Sequence, residues 1–174
     1  YPLPYPFNEE KSQRINAYTQ FDYVPRGNHF VSVSLHGVLQ RANFVGLNFY
    51  TPQPAAPSWR AQEYRGAVSD RVEKEAGVFE SVLSVADLES RTAGQGFESP
   101  AFTPTSTLGN YFLTQDRRTR RTQFLETWSL RSKRAWGTHA LKMGAVVARA
   151  TLDGSAVARD VRIISFEGQE LAGL

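Results

Sequence analysis

Residues 14–39 read RINAYTQFDYVPRGNHFVSVSLHGVL, and this stretch decides the fold. Apolar and polar side chains alternate along its first arm, Ile15–Tyr23, and along its second arm, Val31–His36. Since side chains on a strand point to opposite faces with period two, each arm has one apolar face and one polar face. Pro25 presets φ, and Gly27–Asn28 tolerates positive φ, which suits a short reversal. The stretch therefore predicts a long antiparallel hairpin.

The composition is that of one folded domain. The chain has 174 residues, of which 41% are hydrophobic and 21% charged, so we expect a single domain that is not disordered. The net charge of +3 is small, and acids nearly match the basic residues in number. With no cysteine in the chain, a disulfide framework and a thiolate metal site are both excluded.

Further alternating segments follow the hairpin, separated by turn signals. The predicted strands cover about residues 59–72, 78–89, 117–130, 138–151 and 160–166. Short corners are predicted at 73–77 and 131–137, and a turn at Asp153–Ser155. Long connections are predicted at 40–58 and 90–116, and a proline-rich extended lead-in at 1–13. We read the start of the chain as the interior of a longer protein and expect a fragment.

The connections alternate between short and long, which places all long loops at one end of the sheet. Transmembrane β-barrels are built in this way, with an apolar outer face and a polar lumen. A soluble β-sandwich also has alternating strands, and the pattern alone leaves both architectures open. Five aromatic residues near strand ends would suit the aromatic girdle of a barrel: Tyr23, Trp59, Tyr64, Trp128 and Trp136.

Six segments, in this order, resemble the barrel region of TonB-dependent outer-membrane receptors, particularly the Oar-like group with a carboxypeptidase-regulatory-like N-terminal domain. They are residues 14–23 (RINAYTQFDY), 49–54 (FYTPQP), 79–85 (FESVLSV), 109–112 (GNYF), 123–130 (QFLETWSL) and 137–144 (GTHALKMG). The resemblance extends from about Pro6 to the end of the chain.

The resemblance implies an all-β fold of long antiparallel up-and-down strands, belonging to a barrel of about 22 strands closed around a plug. Residues 1–174 would be a partial barrel domain with about seven strands. Taken alone, that part would form a curved open sheet with two unpaired edges. The plug and the segment that contacts TonB would lie outside this sequence.

The implied function is active uptake of a nutrient ligand across the outer membrane of a Gram-negative-type bacterium. The implied partners are outer-membrane lipid, lipopolysaccharide, the TonB system and an unidentified nutrient. We expect no enzyme, because no acid–base or nucleophile constellation is visible, and we expect no cofactor. The alternative is a soluble β-sandwich that binds carbohydrate, for which the aromatic loop residues Phe44, Phe49 and Tyr50 would be available.

The densest charge cluster is Arg117, Arg118, Arg120 and Arg121. Without a second basic patch beside it, we interpret it as a strand rim facing anionic lipopolysaccharide or an anionic ligand rather than a nucleic-acid site. The charged residues of the polar parity would either pair across strands in a lumen or contact the plug, and we favour the pairing. They are Glu63, Arg65, Glu80, Glu126 and Lys142.

The histidines do not form a predicted site. His29, His36 and His139 lie on separate strands or strand starts without the spacing of metal ligands. The sequence therefore predicts no catalytic, cofactor or metal residues, and it leaves the ligand-binding residues unidentified.

Overall fold

The computed structural model describes residues 9–134 and 136–173. Its main feature is one sheet of six long strands: β1 (Lys11–Arg26), β2 (His29–Asn43), β3 (Ser58–Lys74), β4 (Gly77–Ala93), β7 (Leu113–Leu130) and β10 (Lys142–Ala158). They lie in the order β1-β2-β3-β4-β7-β10, with every neighbouring pair antiparallel. The predicted all-β fold of long up-and-down strands in an open sheet is confirmed.

The predicted first hairpin is confirmed, with strands longer than the alternation alone indicated. Tyr18 pairs with His36, and the register holds from Lys11–Asn43 to Tyr23–Val31 before shifting ahead of Arg26–His29. The shift includes Pro25, which has no backbone donor for a ladder. Gly27 and Asn28 form the turn, and the Asn28 side chain donates to the Glu73 carbonyl at 3.0 Å, which ties this turn to the neighbouring strand.

The predicted corner at 73–77 is confirmed as the tight turn between β3 and β4. Glu75 and Ala76 form the turn, and Gly77 follows with φ 146°. A Cβ atom at Gly77 would lie 2.2 Å from the Ser129 carbonyl oxygen. Glycine is therefore required here both by the backbone angle and by the close approach of β7.

The turn predicted at Asp153–Ser155 is wrong, because these residues lie inside β10. They pair with β7 in an unbroken register, with Asp153 opposite Arg118 and Gly154 opposite Arg117. Turn-forming residues carry only a local preference, and a complete ladder along β7 overrides it. The corner predicted at 131–137 is also longer than expected, and it contains the short strands β8 (Lys133–Arg134) and β9 (Thr138–His139).

The last predicted strand, at 160–166, is present but short, and it does not extend the main sheet. It corresponds to β11 (Arg162–Ile164), which belongs to a second sheet with β5 (Ala101–Phe102), β6 (Thr107–Leu108) and β12 (Glu170–Gly173). Backbone bonds from Arg159 to Phe112 (2.9 Å) and from Arg162 to Pro100 (3.0 Å) draw the chain over the second long connection. The main sheet therefore has six strands, where the sequence pattern suggested a seventh.

The best-buried residues lie among the long connections at one end of the sheet, where a short 3₁₀ helix (Gln53–Ala55) packs near β6. They are Ala42, Ala55, Ala56, Pro100, Ala101 and Asn110, together with Val38 on β2. Within the sheet itself, Val33 is 37% exposed and Leu83 is 47% exposed. The described residues thus leave the face that carries Val33 and Leu83 uncovered, form no closed barrel and leave β1 and β10 as the edges of the sheet.

Among the described residues, no helix is both long and apolar enough to cross a membrane. The lead-in predicted at 1–13 lies mostly outside the described residues.

Candidate functional site

The register between strands assigns each side chain of the main sheet to one of its two faces, and residues paired across neighbouring strands form a row. On one, which we call the apolar face, a single row across five strands contains Val33, Val68, Leu83, Phe124 and Val147. On the other, which we call the polar face, the adjacent row contains Ser34, Ala67, Ser84, Gln123 and Ala148. The alternation predicted from the sequence therefore runs in register across the sheet.

Charged and amide side chains occupy the apolar face near the long connections, and we call this set the charged rim. Its members are Gln13, Arg41, Arg60, Gln62, Asp87, Glu89, Arg91, Asp116, Arg118, Arg120, Arg149 and Asp153. Asp87 accepts hydrogen bonds from Arg118 (2.9 Å) and Arg120 (2.7 Å) through the same carboxylate oxygen. The hydrogen bond from Arg118, and next the one from Arg120, lower the pKa of Asp87 to about 2.

The inner boundary of the charged rim is inclined to the strands. On β1 and β2 the boundary lies at the paired residues Gln13 and Arg41. It is then displaced by two residues toward the short turns at each of β3, β4 and β10, and it stays in the same row from β4 to β7. The residues at the boundary, from β1 to β10, are Gln13, Arg41, Gln62, Asp87, Arg120 and Arg149. The boundary is displaced by six residues, or about 20 Å, along the strands while it crosses five strand intervals, or about 24 Å. It is therefore inclined by about 40° to the direction perpendicular to the strands.

Beyond the charged rim lies a band of mainly apolar side chains. On β2 the band extends from Leu39, next to the charged rim, to Val31, near the short turn. Its limit near the short turns is displaced in the same direction as the boundary of the charged rim, to Val72 on β3 and Leu130 on β7. The band therefore keeps a roughly constant width while crossing the strands obliquely.

Three polar residues interrupt this band in a single row: Asp70, Ser81 and Glu126. Each carboxylate has a donor beside it. Asp70 contacts His29 at 2.6 Å, and Glu126 accepts hydrogen bonds from the Ser81 hydroxyl and from the Trp128 indole, the latter at 2.8 Å. The interruption is consequently a hydrogen-bonded stripe rather than a set of isolated charges.

The position of Glu126 corrects a sequence prediction. Glu63, Arg65, Glu80 and Lys142 lie on the polar face as expected, but Glu126 lies on the apolar face opposite Ser81 and Ala145. The register of β7 is set by its larger side chains, which join apolar partners on both neighbouring strands. Phe124 and Trp128, of the same parity, were the signal that could have placed Glu126 correctly.

The predicted basic cluster is divided between the two faces, because its residues are consecutive on one strand. Arg118 and Arg120 belong to the charged rim, whereas Arg117 and Arg121 lie on the polar face. The cluster is therefore not one cationic surface.

On the polar face, Arg121 and Arg65 border an open concavity of about 480 Å³. Small side chains form its floor, namely Ser34, Ala67, Ser84 and Ala86. Arg65 donates to Glu63, and Arg121 donates to the amide oxygen of Gln123 at 2.8 Å. The pairing of these residues in space could not be found from the sequence, where they are far apart.

The three histidines are distributed over different parts of the chain, with His29 and His36 on β2 and His139 on β9. No group of His, Cys, Asp or Glu that could hold a metal ion occurs among residues 9–134 and 136–173. His36 makes an edge contact with Tyr18 at 6.3 Å between ring centroids, and His139 lies in the small β8–β9 pair.

The aromatic residues only partly follow the predicted girdle. Tyr23, Tyr64 and Trp128 lie on the apolar face, but the register places Trp59 on the polar face, and Trp136 lies in the connection after β8. In the first long connection, Phe49 and Tyr50 are 53% and 59% exposed and stack edge to face at 5.3 Å. Phe44, the third loop aromatic, is half-buried.

No protein-family model, curated protein or solved structure matches the chain.

Proposed function

We propose that this chain is part of the wall of an outer-membrane β-barrel, of the TonB-dependent receptor class, that takes up a nutrient ligand. The observation that carries the proposal is the inclined boundary of the charged rim. Strands of a transmembrane barrel tilt by about 35–45° from the membrane normal. A flat membrane surface therefore crosses such strands obliquely, and the inclination of about 40° found here agrees with that tilt.

The dimensions of the apolar band support the same proposal. The band on β2, Val31–Leu39, covers nine residues, or about 30 Å along the strand. At a tilt of 40° this corresponds to a height of about 23 Å, close to the apolar band of about 25 Å on outer-membrane barrels. The hydrogen-bonded donors at Asp70 and Glu126 reduce the cost of the polar stripe within it.

The lengths of the connections indicate the orientation of the proposed barrel in the membrane. Long loops of outer-membrane barrels lie outside the cell and short turns face the periplasm, so the charged rim belongs to the outer leaflet. There its arginines would meet the phosphates of lipopolysaccharide. Strands continuing from β1 and β10 would complete the barrel, and contact with the TonB system would be made by parts of the protein outside this sequence.

A second candidate function is carbohydrate binding by a soluble β-sandwich, favoured by the exposed pair Phe49 and Tyr50. Aromatic rings on loops are suited to packing against sugar rings. That architecture requires a second sheet over the apolar face, formed by residues beyond those described here, whereas the barrel requires lipid.

A labelling experiment separates the two candidates. This chain has no cysteine, so L83C and S84C place single thiols on opposite faces of the same strand, in a full-length parent otherwise free of cysteine. Each variant is labelled with an environment-sensitive fluorophore and reconstituted into vesicles containing brominated lipid. We expect the label at position 83 to be quenched by bromine and the label at position 84 to be unaffected.

Recovery of the full-length protein in the soluble periplasm, together with equal quenching at both positions, would exclude the membrane proposal. Heat-modifiable migration on a gel provides an independent check that each variant has formed a barrel.

A further inference from the structure

We propose that Arg65 and Arg121 bind the carboxylate or phosphate groups of an anionic ligand on the polar face. The proposal concerns the concavity of about 480 Å³ that these residues border, a volume within the range of about 300–1,000 Å³ typical of small-molecule sites. It rests on the proposed function only in identifying this ligand with the transported nutrient.

The two arginines face each other across a single intervening strand. In strand register, Arg65 lies opposite Ala86 and Ala86 lies opposite Arg121, so their backbones are separated by about 10 Å. Ala86 contributes only a methyl group between them, and Ser34 and Ser84 add hydroxyl donors on the floor. One multivalent anion can therefore contact both guanidinium groups.

Arg121 has no carboxylate partner among the described residues, whereas the neighbouring arginines of the charged rim do. Arg118 and Arg120 share Asp87, and Arg65 has Glu63. Arg121 donates to the neutral amide of Gln123, and no carboxylate pairs with it among the described residues. The two arginines and Glu63 together leave one excess positive charge beside a concavity whose lining residues include no carboxylate.

Arginine has the geometry for this role. Its planar guanidinium donates two parallel hydrogen bonds to a carboxylate or a phosphate, and such charge-assisted bonds are stronger than neutral ones. Only one Nη group of Arg121 is engaged with Gln123, which leaves its other N–H donors available for a ligand. His36, beside Arg65 on the neighbouring strand, lines the same concavity.

The test uses calorimetric titration of the full-length protein in detergent with two probes, citrate and inorganic pyrophosphate, and with sucrose as the neutral control. We expect citrate, pyrophosphate or both to bind and sucrose not to bind. Preference for citrate would assign a carboxylate ligand, and preference for pyrophosphate a phosphate ligand. R121Q is expected to weaken binding by about tenfold or more, since it removes a charged hydrogen-bond donor.

R131Q is the matched control, because it removes the same charge from an exposed position in the connection after β7, outside both the concavity and the charged rim. It should leave the affinity within about twofold, and R121K, which retains the charge without the fork, should bind with intermediate affinity. Heat-modifiable migration confirms that each variant is folded.

Equal weakening by R121Q and R131Q, or the failure of both anions to bind, would overturn the proposal. These titrations do not depend on the membrane. The anion-binding proposal can therefore fail while the lipid-quenching experiment succeeds, and the membrane proposal can fail while the anions bind.

Discussion

The Asn110 side chain donates a hydrogen bond to the backbone carbonyl of Pro54 at 2.9 Å, and so joins the two long connections of the sheet. Its carbonyl oxygen also accepts from the Glu98 backbone at 3.0 Å. Asn110 is only 9% exposed and is surrounded by the best-buried part of the molecule. This amide is the buried link between two loops that are distant in the sequence, and it acts beside the backbone bond from Thr107 to Tyr50 at 2.8 Å.

N110A should loosen this end of the molecule. Loss of the two bonds leaves the Pro54 carbonyl and the Glu98 amide without their partner, at a cost of about 1–3 kcal/mol. Hydrogen exchange of the two connections measures the effect, with N16A as a control because Asn16 is exposed on the edge strand β1. Equal protection of the loops in wild type and N110A would contradict this role.

Asp87 should make the stability of the charged rim dependent on pH. Since Arg118 and Arg120 lower the pKa of Asp87 from 3.8 to about 2, its contribution is fully present above the unfolded pKa of about 3.8 and is lost as the pH falls through about 2. Melting curves should show wild type to be more stable than D87N above pH 4, with the difference shrinking toward pH 2. D160N, at an exposed position outside the charged rim, should not show this change; a pH-independent effect of D87N would refute the mechanism.

Gly77 should not tolerate any side chain. A methyl group there would meet the Ser129 carbonyl at 2.2 Å with φ at 146°, which costs about 1–3 kcal/mol for the backbone angle alone. Denaturant unfolding of G77A is compared with that of G27A, a turn glycine where an added methyl group would have no atom within 4 Å. Similar unfolding of both variants would show that β4 and β7 do not approach each other this closely.

Because the apolar band is inclined, an arginine introduced at different positions of one row should destabilise the protein by different amounts. Leu35 and Thr122 lie in the same row, three strands apart, but Leu35 lies near the middle of the band on β2, whereas Thr122 lies at its edge on β7. For a barrel in a bilayer, we expect L35R to cost about 2–4 kcal/mol and T122R about 0–1 kcal/mol. Unfolding from lipid vesicles measures both, and equal costs would mean that the strands do not tilt.

The sequence was sufficient for the elements whose signals are local. Alternation along Val31–His36 and turn residues at Gly27–Asn28 predicted the first hairpin, because strand parity and turn geometry are both set within a few residues. The same reasoning failed at Asp153–Ser155, where pairing with a neighbouring strand outweighs turn preference. It also misplaced Glu126, whose face is fixed by the partners of β7.

By itself, then, the sequence determined the all-β class, the long strands and which side chains of one strand lie on the same side of it, since these follow from a period of two residues. Tertiary structure alone decided the register between strands and hence the oblique apolar band, the stripe through Glu126 and the approach of Arg65 to Arg121. The physical reason is that tight turns fix register only within a hairpin, whereas across the long connections register depends on contacts between residues many positions apart.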